Sequence, residues 1–507
     1  MHEKHPGVQD MATEVFLKIS KKTKHMFVQS HDNNEEPFVW NLIRNLKDNS
    51  RELEIKQCLH LYEGIAHMVS EEKDSQKREI LLENLMQYTQ ESWNEVLSLA
   101  NKDASSLQDY EVIRTIGFVI KANERVAYAL GHPYYTHLCK IFLELLQVYK
   151  LYSKNISYVI SNNAKYDVSI FKATKTVRRE ILNLIATFIK NVEDPDMIIN
   201  DFLPKLSELI TDYNDNVPSA RDPEVLLLFA TLIKKMEEKM NQHIPDILSW
   251  LFESTLSMIS DNYTDFMDFR RNFFTLIKNI VDYALEGLFE ANEDNFKIWI
   301  DSILWAIKHY QIELAEIGLD TMNELLSKVV SNQSIANVFF QNFYMVILQD
   351  AFYVLTDSLH KSGFYKQALI IMKMIAVVEN QMFEGKLSEN YSSNKEYVIE
   401  FLSDVMVKLY TNTNKVQIQT FVLNMFNKWN DKKEFVNTLR DFLVWLKEFV
   451  GEDQDELYKQ EREMALKEAQ EKEDTRKQAI PGLVKPQAFE RANDNGLNFE
   501  EEEEDDL

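Results

Sequence analysis

Glycine is scarce in this chain, 11 among 507 residues, against roughly 7% in an average protein. Tight hairpins and phosphate-cradling loops rely on glycine for positive φ, so the shortage argues against strand-rich folds and nucleotide-binding loops. Proline is as sparse, at 10. The only cysteines are Cys58 and Cys139, which excludes a disulfide framework and a cysteine-based metal site. Basic charge is also short: 56 Lys and Arg face 81 Asp and Glu, for a net charge of −25. A general nucleic-acid binder needs the opposite balance to neutralise phosphates, whereas an acidic chain suits soluble behaviour and partners with basic patches. The opening residues, MHEKHPGVQD, contain no apolar signal region. The densest apolar run, Val225 to Ile233, is too short to span a bilayer. A nuclear or cytosolic protein is expected, with no membrane insertion and no direct nucleic-acid contact.

What is present is helical periodicity, in a chain that is 45% hydrophobic. Between His137 and Tyr152 the apolar positions are Leu138, Ile141, Phe142, Leu145, Leu146, Tyr149 and Tyr152. That is the i, i+3, i+4, i+7 spacing of one buried helical face. Val177, Ile181, Leu184, Ile185 and Phe188 repeat it, and Ile298, Ser302, Trp305, Ala306 and His309 define a comparable stripe widened by Ile303 and Ile307. Helix starts are marked by Asp194-Pro195-Asp196 and Asp222-Pro223-Glu224, since Asp caps the first free N–H groups and Pro fits the first turn. Gly131-His132-Pro133 separates two amphipathic segments. The pattern predicts roughly ten helix pairs recurring about every 40–55 residues between residues 8 and 478, a HEAT-like period. Each pair cannot bury its apolar face alone, so stacking builds a continuous core. The predicted fold is all-α, a HEAT-type helical-repeat solenoid over residues 1–450.

The end of the chain has a different composition. Residues 451–480 read as a polar helix with few apolar positions, chiefly Leu457, Met464 and Leu466. Its i, i+4 pairs Glu463–Lys467 and Glu468–Lys472 stand in the favourable order. Residues 481–507 follow as an acidic, disordered tail ending in the run Glu500, Glu501, Glu502, Glu503, Glu504, Asp505 and Asp506. From 451 onward, 8 basic residues face 19 acidic ones, so −11 of the total −25 is concentrated there.

Catalytic constellations are missing from the sequence. There is no Walker-type loop, G-x-S-x-G elbow, H-E-x-x-H or paired Cys-x-x-Cys. His132 and His137 stand five apart, a poor metal spacing on a helix, and the many Asp and Glu residues fit solvated helix faces. The aromatics fall on apolar stripes without an interleaved basic patch, as core residues do. Neither an enzyme nor a cofactor or metal site is expected.

Several segments are more specific than periodicity. They include GVQDMATEVFLKI at 7–19, VRREILNLIATF at 177–188, DYNDNVPSARDPEVL at 212–226 and RRNFFTLI at 270–277. FKIWIDSILWAIKH follows at 296–309 and RDFLVWLKEFVG at 440–451. In this order they resemble the C-terminal half of the exportin-1 family of nuclear export receptors, in the importin-β superfamily. The resemblance implies a HEAT-repeat receptor that binds leucine-rich export-signal cargo together with Ran-GTP. It implies nucleoporin contacts and shuttling between nucleus and cytoplasm. It further implies that the polar C-terminal helix and the acidic run Glu500–Asp506 disfavour cargo binding when Ran is absent. Family members are about twice as long, so this chain is expected to lack the N-terminal Ran-binding region and most of the cargo groove. Met11 and Val15 would supply a rim of that groove. A HEAT scaffold in an unrelated complex is the alternative.

Overall fold

The computed structural model describes residues 5–29, 36–260, 265–290, 293–409 and 414–450. Among the described residues there are helices and turns and no strand. The chain divides into two compact units, residues 1–292 and a second beginning at Glu293.

The longer helices of the first unit are α1 (Pro6–Phe27), α2 (Ile55–Val69), α3 (Ser75–Lys102), α4 (Tyr110–Leu130) and α5 (Tyr135–Ser161). They continue as α6 (Val168–Asn191), α7 (Leu203–Asp215), α8 (Glu224–Met236), α9 (Ile244–Ser260) and α10 (Met267–Tyr283). Short helices, Phe38–Arg44 and Leu46–Ser50, bridge α1 and α2. Two rows result. In one, α1, α2, α4, α6, α8 and α10 pack side by side in order. In the other, α3, α5, α7 and α9 follow, linked by Lys140 to Glu83 at 2.7 Å and Ser153 to Asp212 at 2.5 Å.

Side-chain bonds record the repeat. Asn272 donates to the Pro223 carbonyl and Asn279 to the Ala230 carbonyl, both across 49 residues. A constant offset means that α8 and α10 run parallel, as the same helix does in successive HEAT units. Between them the chain returns through α9, so sequence neighbours are antiparallel and belong to opposite rows. This is the stacked helix-pair architecture expected from the sequence: an all-α solenoid of HEAT type.

The second unit contains α11 (Glu293–Ile307), α12 (Ile312–Val329), α13 (Gln333–Thr356) and α14 (Phe364–Glu379). Beyond them come α15 (Asn394–Leu409), α16 (Lys415–Lys428) and α17 (Lys432–Val450). Here α12 packs on α14 and α14 on α17. Lys366 meets Asp320 at 3.0 Å across 46 residues and Lys373 donates to the Asn323 carbonyl at 2.6 Å across 50, so α12 and α14 repeat the parallel relation. One helix of this unit, Gln333–Thr356, is long and apolar enough to cross a membrane by length and composition. It is charge-free apart from Asp350 and buries Phe339, Phe340, Tyr344, Ile347, Leu348 and Phe352 within the unit.

Local chemistry explains the helix ends. Asp74, Asp109 and Asp167 each accept two backbone N–H bonds at the starts of α3, α4 and α6. Asp194 caps the turn at Pro195, and Asp222 accepts from Glu224 N at 3.1 Å. Gly131, at φ +66°, closes α4 in a conformation that side-chain-bearing residues resist. All seven apolar residues read between His137 and Tyr152 are buried, as are the five from Val177 to Phe188. Of the stripe along α11, Ser302, Ile303, Ala306, Ile307 and His309 are buried as spaced, and its two other positions are not. Ile298 is exposed and Trp305 half-buried, while Trp299, Ile300, Ile303, Leu304 and Ile307 form the core. Apolar residues cover more than half of FKIWIDSILWAI, so periodicity alone does not fix the edges of the buried face.

Candidate docking site

α1 packs against α2 through an unusually polar seam. Gln57 donates to Asp10 at 2.6 Å, His60 approaches the Thr13 hydroxyl at 3.4 Å, and Lys24 pairs with Glu71 at 2.6 Å. Gly64 allows the close approach, because a Cβ there would stand 2.6 Å from the Phe16 ring. At the centre lies Glu63, almost wholly buried, paired with Lys21 at 2.6 Å and Arg125 at 3.5 Å, with His67 at 3.8 Å. Burial opposes ionisation of Glu63. The contacts from His67 and Lys21 and the nearby Lys21 and Arg125 charges outweigh it, bringing the carboxyl down to about 2. One carboxylate thus ties α1, α2 and α4 together.

With its polar side committed to α2, α1 turns apolar residues to solvent. Val8, Met11, Val15 and Ile19 are all exposed, Met11 to 69%. At 100° per residue they occupy an arc of about 80°. This inverts the usual amphipathic arrangement and leaves a row of exposed apolar side chains along α1. Met11 and Val15, predicted as rim residues, both stand on this face. The run Glu500–Asp506, predicted as an autoinhibitory element, lies outside the described residues, as does the polar helix 451–480.

One of the specific sequence stretches, residues 212–226, builds a buried polar hub that connects α7 to α8. Arg178 on α6 is 3% exposed and pairs with Asp222 at 3.3 Å. It also donates to the Ala220 carbonyl at 3.0 Å and the Ser153 hydroxyl at 3.3 Å, and lies over the Tyr149 ring at 5.3 Å. Ser153 in turn donates to Asp212, and Asn216 donates to Ser153 at 2.9 Å. Burial raises the Asp212 carboxyl above its ordinary value, working against the Ser153 bond and the Arg178 charge. Tyr213 meets the Thr255 hydroxyl at 2.9 Å, and Arg221 donates to the Ser254 carbonyl at 2.6 Å. These contacts fasten five helices, α5 to α9, around one connector. Their partners are all internal, so the hub shapes the stack.

The CRM1 C terminal family model matches residues 137–451, which include the whole hub. The chain belongs to the CRM1 (exportin-1) family. It is 37% identical over 492 residues to Exportin-1 of Dictyostelium discoideum and 35% identical over 499 residues to Protein EXPORTIN 1B of Arabidopsis thaliana. Exportin-1 of Schizosaccharomyces pombe is 33% identical over 495 residues. Each alignment covers 96% of this chain and 46% of the relative, so the chain spans about half the length of the curated relatives it matches. The exportin alignments extend over nearly the whole chain, whereas the family model begins inside α5.

Within this family member, His137 occupies a structural position. His137 is buried beside Asn123, 3.1 Å from its Oδ1, and desolvation pulls the imidazole down to about 4. Tyr134 donates to the same Asn123 oxygen at 2.6 Å. No group of His, Cys, Asp or Glu that could hold a metal occurs among the described residues. Sequence reasoning found the specific stretches but not their cause. Of the two neighbouring arginines in VRREILNLIATF, Arg178 is buried in the hub and Arg179 is exposed.

Proposed function

We propose that this chain acts as the C-terminal part of a nuclear export receptor. That receptor carries leucine-rich export-signal cargo together with Ran-GTP, contacts nucleoporins, and shuttles between nucleus and cytoplasm. It performs no enzymatic step of its own. Membership of the exportin-1 family supports the reading, and one structural observation carries it: the exposed apolar face of α1. Export signals of the leucine-rich kind present apolar side chains at helical spacing, and such segments dock by laying that face along a hydrophobic groove. Val8, Met11, Val15 and Ile19 offer one wall of matching period. In this reading the acidic run Glu500–Asp506 lowers cargo affinity in the absence of Ran.

The test is a pull-down with the immobilised chain and purified Ran in either nucleotide state. Retention of Ran-GTP above Ran-GDP is the expected result. Equal or negligible retention of both would instead favour a HEAT scaffold serving an unrelated complex.

A further inference from the structure

A second exposed patch in the first unit combines basic charge with aromatic surface. α6 carries Lys172, Lys175, Arg178, Arg179 and Lys190 against one acid, Glu180, in a chain of net charge −25. Arg178 is consumed by the hub, whereas Lys172, Lys175, Arg179 and Lys190 are exposed. Val168, Lys172, Lys175 and Arg179 follow helical spacing and share one face within an arc of about 60°. At the start of that face, the hairpin between α5 and α6 exposes Tyr158 (65%), Tyr166 (52%) and Val168 (60%). Tyr166 packs on Phe171 with ring centroids 4.6 Å apart, and Lys175 stands over the same Phe171 ring at 5.0 Å. Among the described residues, Lys172 and Arg179 have no ion-pair partner.

We propose that this face docks an acidic, extended peptide segment of a partner protein, one with an aromatic or large aliphatic residue at the end that meets the hairpin. Charge complementarity selects the acidic partner, because a solvated row of cations is the exception on this acidic chain. Spacing selects its form. Arg179 stands seven positions after Lys172, about 10 Å along the helix axis. Carboxylates three residues apart on an extended chain span about the same distance. The rings of Tyr158 and Tyr166 and the Val168 side chain supply the apolar contact. A nucleic acid fits less well: its phosphates would meet few cations here, and the protein as a whole repels a polyanion.

The probe is a fluorescein-labelled peptide of pattern Phe-Glu-Ser-Ser-Glu, titrated against the whole chain by anisotropy at about 50 and 150 mM salt. Saturable binding that weakens with salt is expected. Lys172→Glu combined with Arg179→Glu should lower affinity about tenfold or more, because two attractive contacts become repulsive. Tyr166→Ser should weaken binding several-fold with the salt dependence unchanged. Both variants alter exposed side chains, and unchanged circular dichroism confirms that each folds. Affinity unaltered by the charge reversals would overturn the proposal. So would tighter binding of a single-stranded RNA of equal charge to the same face.

Discussion

Replacing Arg178 with methionine is expected to loosen the first unit around α6. The guanidinium is 3% exposed, and its loss strands the Asp222 carboxylate and the Ala220 carbonyl in the interior. Removing one partner of a buried ion pair costs about 3–5 kcal/mol, far more than the 0–1 kcal/mol of a surface pair. The exposed Lys140–Glu83 bridge is therefore the internal control. A stack of repeats need not unfold in one step, so hydrogen exchange resolved by segment is the better assay. Amides of α5, α6 and α8 should exchange about 100-fold faster or more in Arg178→Met, taking 1.4 kcal/mol as tenfold. α13 and α14, in the second unit, serve as the reference. Adding Asp222→Asn removes the stranded charge while keeping the acceptor that caps α8, and should recover part of the loss. Acceleration below tenfold in Arg178→Met would refute the reasoning, because the hub would then be no more than a surface-grade contact.

Glu63 predicts acid lability of the α1 seam. Its folded value of about 2 lies below the ordinary 4.5, so its stabilisation is fully present above about 4.5 and is lost as pH falls toward 2. The magnitude is on the order of 3 kcal/mol, and Glu63→Gln should flatten the pH dependence of α1 exchange. His137 works in the same direction over another window: with its imidazole near 4 instead of 6.5, stability falls as pH drops from about 6.5 to 4. NMR of the ring should find His137 neutral at pH 6, and His137→Gln should remove that slope. Gly64→Ala should separate α1 from α2 at a cost of about 1–3 kcal/mol, read as faster exchange confined to the seam.

Much of the fold was legible because core helices announce themselves by period. The face through Leu138, Phe142 and Tyr149 and the face through Ile181 and Phe188 are buried as spaced. The stripe along α11 was legible in part: Ser302, Ile303, Ala306, Ile307 and His309 are buried, whereas Ile298 and Trp305 are not, because the apolar residues exceed one face and leave its edges to tertiary packing. Asp222 was legible as a cap, yet it also holds Arg178, a contact made across 44 residues that no local pattern encodes. For α1, Met11 and Val15 were singled out from the sequence, and the structure adds Val8 and Ile19 to the same exposed row. That it faces outward follows only from the polar seam with α2, through partners such as Gln57 and Glu63 that lie 40 or more residues away.

The exposed face of α1 is the centre of the functional account, and the Met11 methyl group reports on it directly. With methionine methyls labelled by carbon-13, a leucine-rich export-signal peptide is titrated into the chain in the presence of Ran-GTP. The account predicts a saturable shift of the Met11 signal that Val15→Glu abolishes, while the signal of buried Met374 stays in place. A Met11 signal that does not move at about 1 mM peptide, where even weak docking registers, would contradict it.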